Sequence, residues 1–284
     1  MDVKALQQNQ SIIVDCRRRE DYLNCHLAGS VNIAAAELFE RMHELPIKAT
    51  PLNIVVDDIT RSAALSFFNE RQFNLNSILS WQAIKEQEAL SFASGLETTH
   101  FWQPSDFIKA IVAGRWFEFS QPDVLDIACG SGRDAMYMAK HGAQVFAIDN
   151  SATALARLQR SVRHYQLRVT SAIVDVERSL DEQQTVRLPV SMPKTYDIVI
   201  MCRYLHRPLY PQLRRWLKPQ GFLCIQTFLQ GCEKISSPRN PNFLLAHNEL
   251  AETFQDLTII SNTVEHLPDG RPLSRFIALN KVID

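Results

Sequence analysis

The chain predicts an α/β fold built as two successive domains. Three observations lead there. Across the first 80 or so residues, short apolar runs alternate with segments of helical period, the pattern of a largely parallel sheet flanked by helices. Residues 90–105 interrupt this rhythm with Ser, Gly, Thr and Pro. A second alternation of the same kind then runs from residue 105 towards the C-terminus, and 284 residues are enough for two domains of ordinary size. The expected division is a domain over 1–90, a linker over 91–104 and a second domain over 105–284.

In the first domain the expected strands are Ser11-Ile12-Ile13-Val14-Asp15, Ser30-Val31-Asn32-Ile33, Asn53-Ile54-Val55-Val56 and Ser77-Ile78-Leu79. Expected helices cover residues 19–24, 37–43 and 61–71, the last with Ala64, Leu65 and Phe68 on one face, and Trp81 starts another. Arg17-Arg18-Arg19 reads as a solvated helix start. In the second domain, strands are expected at 124–127, 144–148, 170–174, 196–201, 222–227, 257–262 and 275–280. The helices between them fall at 133–141, 152–165, 208–217 and 248–254, after a first helix beginning at Ser105. Lys218-Pro219-Gln220-Gly221 is a turn into the fifth strand.

Composition narrows the function classes. The hydrophobic fraction is 46%, the charged fraction 21% and the formal net charge −1, which gives no basis for a nucleic-acid partner or an anionic membrane. No apolar run approaches the roughly 18 residues of a membrane span, and residues 1–8 are too polar for a secretion signal. The six cysteines form no C-x-x-C pair and no Cys/His cluster with zinc spacing, so reduced thiols in a cytoplasmic protein and no metal are expected.

The densest chemical signal is Val124-Leu125-Asp126-Ile127-Ala128-Cys129-Gly130-Ser131-Gly132-Arg133-Asp134, an apolar strand, an acid and a glycine loop that opens a helix. Gly130 and Gly132 let the backbone turn tightly against a ligand, and the helix N-terminus aims amides at it. Asp126 is placed to meet a cationic group. A ligand with a positive centre, a ribose and a purine fits, and S-adenosylmethionine is such a ligand. The same residues through Ala135 also match the dinucleotide fingerprint, with Asp149 at the end of the next strand, so a nicotinamide-dependent oxidoreductase is an alternative. Two details favour S-adenosylmethionine: a carboxylate four residues before the first glycine is unwelcome to a pyrophosphate, and a further acid, Asp175, follows the third strand. Each acid also has a plain reading as a cap or turn former, and Cys129 one as a small filler.

On these residues the segment 105–284 resembles the class I S-adenosylmethionine-dependent methyltransferases, which implies a Rossmann-like domain with a seven-stranded mixed sheet. The resemblance makes Asp149 in Ile148-Asp149-Asn150 the ribose ligand and Asp175 in Asp175-Val176 the acid beside the adenine amino group. Ala128, Cys129, Gly130, Ser131, Gly132, Arg133 and Cys202 complete the implied cofactor contacts. Gln220 stands where a second glycine is often seen. Gly132-Arg133-Asp134-Ala135, Leu244-Leu245 and Asn248-Glu249-Leu250 are similar to the tellurite-resistance-type branch, which implies a small-molecule or soft-nucleophile acceptor. In an open α/β sheet ligands bind beyond the C-terminal strand ends. Cys202-Arg203-Tyr204-Leu205-His206-Arg207-Pro208 is therefore expected at the crevice, with Tyr204 and His206 as pocket walls, Arg203 or Arg207 as anion anchor and His206 or Tyr204 as candidate base. Residues 231–242 are a candidate lid.

Residues 10–90 resemble the rhodanese family through Ile13-Val14-Asp15-Cys16-Arg17, Glu20-Asp21-Tyr22 and His26-Leu27-Ala28-Gly29-Ser30-Val31-Asn32-Ile33. That family carries sulfur on a cysteine in a loop ending Arg-Ser; here the loop is Asp57-Asp58-Ile59-Thr60-Arg61-Ser62, with no thiol. Sulfur transfer is therefore not expected. Docking of a protein partner, packing or regulation is the expected role, with Cys16 the alternative nucleophile and Cys25 standing at a usual glycine. A non-catalytic protein that recruits partners and binds S-adenosylmethionine is the second alternative for the whole chain.

Overall fold

A computed structural model describes residues 12–97, 99–114, 121–178 and 185–281. Ser11 and the polar segment 1–8 lie outside them. The chain divides between Gln103 and Pro104 into two compact units.

The first unit holds a parallel sheet in the order β3-β1-β4-β5, from β1 (Ile12–Asp15), β3 (Val31–Asn32), β4 (Leu52–Val56) and β5 (Leu75–Ser80). All five residues of β4 are buried, as expected of a strand covered on both faces. Helix α1 (Arg19–Asn24) and helix α2 (Arg61–Glu70) follow β1 and β4, and α3 (Trp81–Ile84) is a single turn. One core packs Val14, Ile54, Phe67 and Phe68 together; another joins Ile13, Val55 and Leu79. Three expectations change here. The helix over 37–43 is replaced by two short 3-10 turns, Ala35–Glu37 and Met42–Glu44, because the fully buried Arg41 is drawn inward to Glu44 and the Asn32 carbonyl. Arg17 is not solvated: 2% exposed, it donates Nε and Nη2 to Asp15, bonds the Cys25 carbonyl and lies 3.5 Å over the Trp81 ring. Part of the expected linker is folded, since β6 (Phe92–Ala93) pairs with β2 (His26–Leu27).

The second unit is a seven-stranded mixed sheet in the order β12-β13-β11-β10-β7-β8-β9. Its strands are β7 (Asp123–Ile127), β8 (Gln144–Asp149), β9 (Val169–Ile173), β10 (Tyr196–Cys202), β11 (Leu217–Phe228), β12 (Thr258–His266) and β13 (Pro272–Leu279). The first five run parallel, and the β12–β13 hairpin adds antiparallel to β11. Helices α4 (Asp106–Ala113), α5 (Arg133–Lys140), α6 (Ala152–Tyr165), α7 (Tyr210–Arg215) and α8 (Glu249–Thr253) accompany the sheet. Ser105 caps α4 by accepting from the Ile108 amide, and Ser151 caps α6 by accepting from the Ala154 amide. The core on one face runs from Ile127 and Ile148 to Tyr196, Phe254 and Phe276.

Lys218 to Gly221 is a bulge inside β11 and not a free turn: Tyr196 pairs with Leu217, whereas Ile198 already pairs with Phe222. Gln220 there has φ 62°, so its side chain occupies a left-handed position that a glycine adopts without strain. The expected helix over 208–217 is shorter, because Leu217 is taken into β11. Among the described residues no helix is long and apolar enough to cross a membrane.

Candidate functional site

Strand order reverses between β7 and β10, the place where an open parallel sheet splays its loops and opens a crevice beyond its C-terminal strand ends. A cavity occupies that place. Ala128 after β7, Asp149 and Asn150 at the end of β8, Val174, Asp175 and Val176 after β9, and Tyr204 after β10 line it. Four strand ends separated by up to 76 positions in the sequence (128 to 204) thus face one space.

The loop after β7 owes its shape to left-handed backbone. Ala128, Gly130 and Gly132 have φ of 55°, 57° and 75°. At Gly132 the need for glycine is also steric, because a Cβ would lie 2.3 Å from Leu158 Cδ1 of α6. Asp149 ties this loop to β8: its Oδ2 accepts from the Gly130 amide at 2.8 Å and its Oδ1 from the Ser151 amide at 2.8 Å. Each oxygen retains further acceptor capacity, and Asp149 lines the cavity. Asp175 accepts from the amides of Glu177 and Arg178, both at 3.1 Å, so it shapes the turn after β9 while lining the same cavity.

Asp126 is a different kind of acid. It is 2% exposed and does not line the cavity, contrary to the expectation of direct access. Burial pushes its carboxyl well above the usual carboxylate range, and the nearby Asp134 and Asp149 push in the same direction. Its Oδ2 has no hydrogen-bond partner among the described residues, an orphaned buried acceptor directly behind the glycine loop. Asp134 is turned to a structural task, accepting from the Ser105 amide at 2.6 Å at the start of α4. Arg133 is exposed at the first turn of α5. Cys129 and Cys202 are partly buried, and burial raises both thiols, so neither is a thiolate nucleophile.

The segment after β10 splits. Tyr204 walls the cavity, and its hydroxyl donates to Glu177 Oε1 at 2.8 Å. Arg203 has φ 59°, and its amide donates to the Gln226 carbonyl at 2.7 Å. Arg207 is no anion anchor, because its guanidinium is already engaged by Glu249 and by the carbonyls of Asn242 and Leu244. His206 lines neither this cavity nor the one beside it, and its Nε2 is buried with no hydrogen-bond partner among the described residues. Glu249, Leu244, Leu245 and Leu250 likewise have structural roles, as partner of Arg207 or as core.

A second cavity of about 440 Å³ shares Tyr204 with the first and is walled by Arg203, Phe228, Pro238, Phe243 and Arg271, among others. Residues 231–242 thus contribute to it through Ser237 and Pro238. Sequence reading missed Phe228, Phe243 and Arg271, because no local motif marks them; only the return of the β12–β13 hairpin beside β11 brings Arg271 to Phe228. In the first unit a separate cavity of about 470 Å³ forms beside the loop 57–62. Cys25, Asp57, Asp58 and Trp81 line it, so the exposed thiol of Cys25 faces that loop while Cys16 is fully buried.

Residues 124–221 match the model of a family described as a methyltransferase domain, and residues 2–79 match that of the rhodanese-like domain. The chain joins a rhodanese-like domain to a methyltransferase domain. An uncharacterized protein of Schizosaccharomyces pombe is 22% identical, with the alignment covering 97% of this chain and 95% of that protein. A Haemophilus influenzae protein named probable S-adenosyl-L-methionine-dependent methyltransferase TehB is 22% identical over 47% of this chain and 45% of its own length. The crystal structure of TehB from Haemophilus influenzae is similar at 19% identity, covering 63% of each chain with a TM-score of 0.49. The methyltransferase domain supplies the first two cavities, and the rhodanese-like domain the third.

Proposed function

We propose that the chain is an S-adenosylmethionine-dependent methyltransferase for a small-molecule acceptor, and that its rhodanese-like domain serves docking or regulation and transfers no sulfur. One observation carries the reading: Asp149 and Asp175 line a single cavity at the reversal of strand order, with the unpartnered Asp126 Oδ2 behind the glycine loop.

The donor set fits a cationic nucleoside. Asp149 offers acceptor lone pairs suited to two ribose hydroxyls, Asp175 an acceptor for an adenine amino group, and Asp126 a desolvated carboxylate to complement a positive centre. Ala128, Gly130 and Gly132 keep the loop low enough for close approach. The same carboxylates oppose a dinucleotide, whose pyrophosphate would meet Asp126, Asp134 and Asp149 together.

When bound, S-adenosylmethionine supplies an activated methyl group on a cationic sulfur. What the protein adds is alignment, and holding two reactants in line is worth several kcal/mol of barrier. Tyr204 stands between the two cavities and fixes the border between donor and acceptor through its bond to Glu177. Because Tyr204 donates to Glu177 and burial raises its hydroxyl further, it positions and does not abstract a proton at neutral pH.

Calorimetry of the full chain with S-adenosylmethionine, S-adenosylhomocysteine and NAD tests the proposal. The expected result is saturable binding of both sulfur nucleosides and none of NAD. Binding of NAD alone would overturn it.

A further inference from the structure

The second cavity carries a chemistry that the cofactor does not need. Phe228 is flanked by two guanidinium groups, those of Arg203 and Arg271, each 5.1 Å from its ring centroid. Arg271 is held in place, donating Nε to Asp269 at 2.8 Å and Nη1 to the Ser237 carbonyl. No carboxylate or carbonyl accepts from the guanidinium of Arg203 among the described residues. Its backbone is nonetheless held in the left-handed region, a strain that persists where the surroundings fix it and that gathers at working sites. Partial burial disfavours its charged form, and Arg271 and Arg133 add repulsion that Glu265 opposes, so an anion that accepts from this guanidinium relieves repulsion among the arginines. The rest of the wall is mixed: Leu205, Phe228, Pro238, Phe243 and the ring of Tyr204 are apolar, Thr227 and Ser237 are polar, and Glu177 is the one acid that the described residues place there, its Oε1 accepting from the Tyr204 hydroxyl.

We propose that this cavity is the acceptor site and that it selects a small organic anion, a carboxylate on a flat apolar body, with Arg203 as the specificity-determining residue. The volume of about 440 Å³ suits a molecule of one or two rings. The anion is bound by charge-assisted N–H donation from a planar guanidinium, which matches a carboxylate in two bonds. The apolar body rests against Tyr204 and Phe243. The assignment rests on the methyltransferase reading only in naming the bound molecule an acceptor; the anion site stands on its own geometry.

The test is ligand-observed NMR titration of the full chain with benzoate and its neutral isostere benzamide, without and with saturating S-adenosylhomocysteine. Benzoate should bind saturably and benzamide about tenfold more weakly, with S-adenosylhomocysteine displacing neither. Arg203→Gln should weaken benzoate about tenfold and leave benzamide and S-adenosylhomocysteine unchanged, as expected for one charge-assisted contact. Arg203→Lys should restore part of the loss, because the charge returns without the fork. Absence of benzoate binding, equal binding of benzamide, indifference to Arg203→Gln or displacement by S-adenosylhomocysteine would each overturn the proposal. Failure to bind S-adenosylhomocysteine would instead count against the methyltransferase reading, since it is scored in a separate titration.

Discussion

Asp126 concentrates the conflict between stability and function in one side chain. It sits on a central strand, 2% exposed, with one carboxylate oxygen unpartnered among the described residues and two other acids nearby. Burial, then Asp134 and Asp149, raise its pKa in the folded state, whereas the unfolded chain holds it near the ordinary value of about 3.9. Between those two values the folded protein binds more protons than the unfolded one, so stability falls as pH rises through that window. Asp126→Asn removes the charge and keeps an oxygen to accept from the Ala135 amide, the one backbone bond this carboxyl receives. The variant should therefore unfold at a higher temperature than the parent at pH 7 to 8, with the gain vanishing towards pH 4, and should bind S-adenosylmethionine at least about tenfold more weakly. A thermal melt series against pH, with parallel calorimetry, measures both; an unchanged melt at pH 8 would show that folding does not raise the pKa of this carboxyl. Arginines teach the opposite lesson about what a sequence can convey. Arg17 and Arg207 look like solvated or ligand-seeking cations in a linear string, yet one is buried on Asp15 and Trp81 and the other braces Glu249 and two carbonyls. Their partners lie 2 to 64 positions away (Asp15 and Trp81 for Arg17), and no local pattern announces an ion pair closed by tertiary packing.

The glycine loop between β7 and α5 is where element and ligand chemistry meet. Gly132 is both the left-handed N-cap of α5 and the point where α6 comes closest through Leu158. An added methyl group meets a fully buried leucine and an unfavourable φ of 75° together. Gly132→Ala should cost about 1–3 kcal/mol in urea unfolding and should weaken S-adenosylhomocysteine binding as the loop shifts; a loss below about 0.5 kcal/mol would mean that Leu158 rotates away freely. This loop was legible in advance because its signal is local: strand, acid, glycines and helix lie within eleven consecutive residues. The central parallel strands were legible for the same reason, since β4, β8 and β10 each carry a local apolar run. The helix expected over 37–43 was not, since the pull on Arg41 comes from Asn32 and Glu44 and defeats a propensity-based reading. The bulge at Gln220 was visible as a turn but not as part of a strand, because only the register against β10 distinguishes them. Phe228 and Arg271 were beyond reach altogether: their meeting is a product of hairpin topology.

At the scale of the whole molecule, one chain carries two α/β units of unlike chemical endowment. The methyltransferase domain gathers carboxylates at one cavity and arginines at its neighbour. The rhodanese-like domain keeps a cavity beside the loop 57–62, but the loop offers Asp57 and Asp58 in place of a thiol. Asp57 is committed to the loop itself, accepting from the Ile59 and Thr60 amides and the Thr60 hydroxyl. Its negative charge and that of the exposed Asp58 repel an anionic sulfur donor. Cys16 is no substitute, because it is fully buried and its thiol is raised by that burial and by Asp15, which keeps the nucleophilic thiolate out of reach. Cys25 is the thiol that does face the cavity, across from two carboxylates. The full chain supplied with thiosulfate and cyanide should therefore form no thiocyanate above the uncatalysed rate, and Cys25→Ser should change nothing. Thiocyanate formation abolished by Cys25→Ser but not by Cys16→Ser would overturn this, and would mean that sulfur chemistry persists on a thiol supplied by the end of α1 and not by the loop that follows β4.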